Sequence, residues 1–206
     1  MAYKMLTKAA LVAGLAVSAA FSVSAADEPK LMMGADASML TNTCIGCHGA
    51  DGNSMGPASP SIAGLSSTYF NETMAGFASG EIPSTIMGRI AKGYTEDEIM
   101  AMSKVFSSSK FIKAKQDFDP ALADKGAKLH DKYCEKCHAD GGQSAEDDAG
   151  VLAGQWTPYV NWTLADYKAG DREATKKMKK KLNEMLEREG SEGVIALLNF
   201  YASQQK

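Results

Sequence analysis

The chain has 206 residues, 45% of them hydrophobic and 23% charged, with 22 basic against 25 acidic side chains and a formal net charge of −3. That acidic balance excludes a nucleic-acid partner held by a basic surface. Beyond the amino terminus no segment is long and apolar enough to span a bilayer, which excludes stable membrane insertion.

Lys4 and Lys8 form a basic start, Ala9 to Val23 is almost wholly apolar or small, and Ser24-Ala25-Ala26 offers a cleavage site after Ala25 or Ala26. This pattern predicts a secretory signal peptide over residues 1–26 and a soluble mature protein in the bacterial periplasm. Asp36 to Thr43 reads as a short helix leading into Cys44-Ile45-Gly46-Cys47-His48. Farther on, Thr95 and Glu98 form a capping box ahead of Ile99, Met102, Val105 and Phe106 at helical spacing. A serine run giving way to Lys-x-Lys and Asp-Phe-Asp-Pro marks a joint near Ser107 to Pro120. Asp124 to Tyr133 then reads as a helix leading into Cys134-Glu135-Lys136-Cys137-His138, and Val194, Leu197, Leu198 and Tyr201 close the chain after a cap at Ser191. Strand signals are almost absent.

The two Cys-x-x-Cys-His motifs use all four cysteines and two of the three histidines. Two Cys-x-x-Cys pairs alone would also fit a four-cysteine zinc site, a redox dithiol or two disulfides. Zinc does not require a histidine directly after each pair, and thioredoxin-like chemistry wants a strand-to-helix setting that neither motif has. Covalent c-type heme requires both features. Thiols a helical turn apart reach the two vinyl groups, and the next residue supplies the proximal imidazole. The reading is therefore two covalently bound heme c groups, on Cys44 and Cys47 and on Cys134 and Cys137, with His48 and His138 as iron ligands.

At an offset of 90 residues the likeness runs past the motifs: Ile62 meets Leu152, Ala63-Gly64 meets Ala153-Gly154, Tyr69 meets Tyr159, Phe77 meets Tyr167 and Gly80 meets Gly170. This is an internal duplication. It predicts an all-α pair of domains, residues 27–110 and 111–206, each small enough to need its heme to complete the core. In each, the first and last helices are expected to cross.

A thioether opposite histidine suits an electron carrier, since it raises the potential and closes the iron to small molecules. The second half offers Met178 and Met185, and the first offers Met55, Met74, Met87, Met100 and Met102. Only Met87 and Met178 match across the duplication, and they are the predicted axial ligands. Met102 falls on the closing apolar stripe. His130, where the first half has Leu40, reads as a half-exposed structural histidine. Trp156 and Trp162 have no counterparts, and the sequence does not choose between packing on the second heme and packing between domains. For the proximal imidazole of the first half, Pro57 or Pro60 is the expected carbonyl acceptor; Gly150 stands opposite Pro60 in the second.

The runs Gly-Asn-Ser-Met-Gly-Pro-Ala-Ser-Pro-Ser-Ile (52 to 62), Gly-Glu-Ile-Pro-Ser-Thr-Ile-Met-Gly-Arg-Ile-Ala-Lys-Gly-Tyr (80 to 94), Gly-Ala-Lys-Leu-His-Asp-Lys-Tyr-Cys-Glu-Lys-Cys-His (126 to 138) and Leu-Ala-Gly-Gln-Trp-Thr-Pro-Tyr (152 to 159) resemble the diheme cytochrome subunit of flavocytochrome c sulfide dehydrogenase. The resemblance implies tandem class I cytochrome c-like domains, with axial methionines at Met87 and Met178. It also implies a larger FAD-containing sulfide dehydrogenase subunit as partner and a soluble cytochrome-type electron acceptor. Sulfide chemistry would lie on the flavin and redox disulfide of that partner, so this chain carries no catalytic residue of its own. Two other functions fit the same plan: a free diheme carrier feeding a terminal oxidase, and a diheme peroxidase with one open iron. A thiosulfate-oxidising enzyme with a cysteine iron ligand does not, because no cysteine is spare. Met87 lies among Ile86, Gly88 and Ile90, whereas Met178 lies among Lys176, Lys177, Lys179, Lys180 and Lys181. This contrast suggests that electrons enter at the apolar edge and leave at the basic one.

Overall fold

The computed structural model describes residues 34–144 and 149–206, so the predicted signal peptide lies outside the described residues. Among them the regular structure is helical: α1 (Ala37–Asn42), α2 (Ile45–His48), α3 (Ser67–Ser79), α4 (Met87–Ala91), α5 (Glu96–Ser108), α6 (Pro120–Tyr133), α7 (Ala139–Gly142), α8 (Thr157–Ala169) and α9 (Lys176–Ser203). No described helix is long and apolar enough to cross a membrane.

Local sequence chemistry sets most of these boundaries. Asp36 caps α1 by accepting from Met39 N–H at 2.7 Å, and Ser66 caps α3 by accepting from Tyr69 N–H at 3.0 Å. The capping box of α5 forms as expected, Glu98 Oε2 accepting from Thr95 N–H at 2.8 Å while Thr95 Oγ1 accepts from Glu98 N–H at 3.3 Å. Both α3 and α8 end on a left-handed glycine, Gly80 (φ 87°) and Gly170 (φ 83°). Two boundaries differ from the sequence reading. α6 begins four residues earlier than Asp124, because Asp119 accepts from Ala121 and Leu122 N–H groups and Pro120 suits the first helical position. The closing stretch starts at a break on Gly190 (φ 61°, ψ −150°), one residue before the cap expected at Ser191, and a further helical stretch precedes it in α9, started by Thr175, whose hydroxyl accepts from Met178 N–H.

The duplication is visible in the hydrogen bonds. Gly52 carbonyl accepts from Ile62 and Ala63 N–H, and Phe106 carbonyl from Gly64 N–H at 2.8 Å. In the second half Gly142 carbonyl accepts from Leu152 and Ala153 N–H, and Tyr201 carbonyl from Gly154 N–H at 2.9 Å. Each half packs its own core. The first joins Leu40, Phe70, Met74, Ile99, Met102 and Phe106, and the second Leu129, Tyr133, Val160, Met185, Leu197 and Tyr201. First and last helices meet in both, α1 against α5 and α6 against α9. At the second crossing a Cβ on Gly126 would lie 2.1 Å from Ala196 carbonyl oxygen, so the backbones touch.

Between Ser108 and Pro120 the chain has no regular secondary structure, yet it is pinned on both sides. Asn53 accepts from Ile112 N–H at 2.7 Å and donates to Lys110 carbonyl at 3.0 Å, while Ala114 N–H donates to Gly154 carbonyl at 2.7 Å. The halves also bond directly. The Gln155 side-chain amide accepts from Ser61 N–H and donates to Ser61 carbonyl, each at 2.9 Å, and Trp156 Nε1 donates to Ser54 carbonyl at 3.1 Å. Trp156 thus serves the seam, while Trp162 is exposed.

Candidate heme sites

Each Cys-x-x-Cys-His motif is wound into one turn by the carbonyl of its first cysteine. Cys44 carbonyl accepts from Cys47 N–H at 3.2 Å and His48 N–H at 2.9 Å; Cys134 carbonyl accepts from Cys137 and His138 N–H at 3.1 and 3.0 Å. The four thiols are free of disulfides, the first of each pair half-buried and the second exposed. Burial pushes the Cys44 thiol up and the Cys134 thiol up to about 11, so neither is a thiolate at neutral pH. No three of His, Cys, Asp and Glu converge among the described residues, so the four-cysteine zinc reading does not form there.

His48 is buried, and its Nδ1 lies 2.8 Å from Pro60 carbonyl. A carbonyl only accepts, so Nδ1 carries the proton and Nε2 is left with its lone pair, the tautomer that ligates a metal. Burial holds the ring's pKa below 6.5, with the Pro60 carbonyl opposing. Pro60, one of the two expected acceptors, is therefore the one used. His138 is likewise held below 6.5 by burial, and the Gly150 carbonyl on its flank pulls the other way. That carbonyl does not reach hydrogen-bonding geometry, and His138 Nδ1 is buried without a partner among the described residues. The two imidazoles thus have unequal support.

The methionines sort by burial. Met74 and Met102 belong to the first core and Met185 to the second, while Met55 is 89% exposed. Met87 opens α4 and packs against the first core. Met178 sits in the first turn of α9. Both are partly buried, and they occupy corresponding places at the start of the helix that follows Gly80 or Gly170.

Two features escaped the sequence reading. His130 is not half-exposed but 2% exposed, with Nε2 2.7 Å from Glu135 Oε2 and Nδ1 3.0 Å from Tyr201 hydroxyl. The signal was the pair of polar replacements for Leu40 and Ile45. Its third member was hidden because Tyr201 matches Phe106 at an offset of 95, not 90. At the seam, duplicated Tyr69 and Tyr159 converge on buried Arg172, whose guanidinium donates to Tyr69 hydroxyl at 3.4 Å and lies over the Tyr167 ring at 5.1 Å. Burial raises Tyr159 and pushes Tyr167 up to about 12, so both remain hydroxyls. Among the described residues no carboxylate pairs with Arg172.

No protein-family model matches the chain. The cytochrome subunit of sulfide dehydrogenase from Chlorobaculum tepidum is 44% identical over 70 residues, which span 34% of this chain and 63% of that protein, less than two thirds of its length. Cytochrome c4 of Stutzerimonas stutzeri is 30% identical over 148 residues, 63% of this chain and 69% of that protein. The crystal structure of reduced recombinant cytochrome c4 from Pseudomonas stutzeri superposes with a TM-score of 0.67 at 26% identity, covering 81% of this chain and 97% of that one. With the helical duplication, the paired attachment turns and these relatives together, the chain belongs to the cytochrome c4 family, all-α diheme electron-transfer proteins built from tandem class I cytochrome c domains with two covalently bound heme c groups.

Proposed function

We propose that this cytochrome is the electron-transfer subunit of a periplasmic sulfide-oxidising complex, accepting electrons from an FAD-containing subunit and passing them to a soluble cytochrome-type acceptor. The observation that carries this reading is the 44% identity to a sulfide dehydrogenase cytochrome subunit, against 30% to cytochrome c4. Residues 1–26 serve as the export signal, and residues 27–110 and 111–206 as the two heme domains.

When bound, heme c supplies a one-electron ferric/ferrous couple. Cys44 and Cys47 hold the first group and Cys134 and Cys137 the second. His48 and His138, with Met87 and Met178, would ligate the irons. The donor set fits: a neutral imidazole with Nδ1 committed to Pro60 offers Nε2, and partly buried Met87 and Met178 would offer thioethers. Arg172 fits the cofactor too. Among the described residues its buried guanidinium meets tyrosines and pairs with no carboxylate, so a heme propionate would be a fitting counter-anion. With all four cysteines consumed by thioethers, the chain leaves sulfide chemistry to its partner.

The surfaces support a direction. Met39 (60% exposed) and Ile45 flank or lie in the first attachment turn, Ile86 and Ile90 flank Met87 in sequence, and these exposed apolar side chains suit docking of the flavoprotein. Exposed Lys176, Lys177, Lys179, Lys180 and Lys181 surround Met178 and steer an acidic acceptor. A free carrier feeding a terminal oxidase is the second reading, favoured by the cytochrome c4 match, which extends over 63% of this chain. Purification of the native protein decides between them. The proposal requires a co-purifying flavin subunit and heme reduction on adding sulfide; a flavin-free cytochrome indifferent to sulfide selects the carrier, and carbon monoxide binding to the reduced protein selects a peroxidase.

A further inference from the structure

The two attachment loops share one plan but rest on different floors. Beneath the first lie buried Leu40 and Phe106, while its own Ile45 is exposed. At the corresponding places of the second stand His130, Tyr201 and Glu135, with Phe106 and Tyr201 matched by the bonds from Gly64 and Gly154 to their carbonyls. Leu40 and Phe106 are apolar core. Their counterparts form one hydrogen-bonded chain. Burial keeps the Tyr201 phenol far above 10, so it stays a hydroxyl, and it meets His130 Nδ1 at 3.0 Å. His130 Nε2 meets Glu135 Oε2 at 2.7 Å. Glu135 then closes the loop across His138, Oε1 accepting from Asp140 N–H at 3.0 Å and Oε2 from Gly141 N–H at 3.1 Å. Both acceptor contacts depend on left-handed backbone, Asp140 at φ 54° and Gly141 at φ 66°.

We propose that this triad fixes an ionised carboxylate within the second attachment loop and so lowers the reduction potential of the second heme relative to an apolar floor like that of the first. The inference rests on the attachment of that heme at Cys134 and Cys137. Glu135 directly follows Cys134, so its charge is tied to the cofactor through one residue of backbone. A fixed negative charge there favours the ferric over the ferrous state. Burial pushes Glu135 up, but the Gly141 N–H, the His130 ring and the Asp140 N–H outweigh it and hold the carboxyl below its usual 4.5. With 37% of its side chain exposed, Glu135 is held at the loop by buried His130 together with the Asp140 and Gly141 N–H groups, and weakening that hold lets solvent screen its charge. His130 and Tyr201 are thus positioning residues, and Glu135 is the charge they position.

The test uses the full holoprotein as wild type, Glu135→Gln, Glu135→Asp and His130→Leu, with heme content measured and both midpoint potentials read by optical redox titration. Glu135→Gln should raise one potential and leave the other, shifting that heme's reduction equilibrium about fivefold, ~40 mV at about 59 mV per tenfold. Glu135→Asp should retain most of the wild-type value, and His130→Leu, which installs the first half's residue, should move the same potential part of the way. Unmoved potentials in Glu135→Gln, or equal shifts of both, would overturn the proposal whatever happens to His130→Leu. A single heme per wild-type chain would instead overturn the cofactor assignment on which it rests, and the inference with it.

Discussion

Replacing Gly126 by alanine adds one methyl group at the point where α6 and α9 cross. Its Cβ would lie 2.1 Å from Ala196 oxygen, 2.6 Å from Ala196 carbonyl carbon and 2.7 Å from Phe200 Cβ. Two of these are backbone atoms, so no rotamer change relieves the clash. One helix must move by more than an ångström to restore van der Waals contact, and α9 carries Met185, Leu197 and Tyr201 of the second core. Overpacking of this kind costs about 1–3 kcal/mol, and the better helix propensity of alanine returns at most about 1 kcal/mol. We expect a net loss of ~1–2 kcal/mol, read as a lower urea midpoint of the holoprotein followed by far-ultraviolet circular dichroism. Gly56→Ala is the control, because nothing lies within 4 Å of its added Cβ and it lies outside the helices and both attachment motifs, and should stay within about 0.5 kcal/mol of wild type. Equal midpoints for Gly126→Ala and the control would refute backbone contact at the crossing.

Met87→Ala and Met178→Ala should each remove about half of the near-infrared thioether-to-iron band of the oxidised protein; an intact band in either variant rejects that ligand. Gln155→Ala leaves Ser61 N–H and carbonyl unpaired in a buried seam, and we expect a loss of roughly 1–3 kcal/mol in urea unfolding; an unchanged midpoint would mean the seam contributes nothing. Charge reversal at Lys177 and Lys180 should slow reduction of an acidic acceptor several-fold and flatten its salt dependence, whereas unaltered kinetics would remove the basic face as an exit. Desolvation holds buried His48 and partly buried His138 at folded pKa values below their ordinary 6.5. Below pH 6.5 the unfolded chain therefore takes up protons that the folded chain refuses. Stability should be level above about pH 7 and fall with acid, by at most about 2.7 kcal/mol per pH unit for two such groups, and a constant urea midpoint from pH 8 to 5 contradicts this.

Chemistry written in short runs of residues was legible without coordinates. Two Cys-x-x-Cys-His motifs at one spacing declared the cofactor, the offset of 90 declared the duplication, and Thr95 with Glu98 declared a helix start that the structure reproduces bond for bond. Such features depend on neighbours within a turn or two, so the local sequence suffices. The start of α6 is local as well: Asp119 and Pro120, which the sequence reading assigns to the joint, act as cap and first turn.

What the tertiary structure decided are contacts between residues distant in the chain. It chose Pro60 over Pro57 as the partner of His48, joined Gln155 to Ser61 across 94 residues, and gathered Tyr69, Tyr159 and Tyr167 around Arg172. It also buried a histidine that sequence left half outside, because its acceptor lies five residues on while its aromatic neighbour lies 71 residues away. A buried polar side chain is stable only where its partners converge, and that convergence belongs to the packed helices. Residue type and spacing determined what this protein binds, and the crossing of α6 with α9 and the meeting of the two halves determined how differently its two sites are supported.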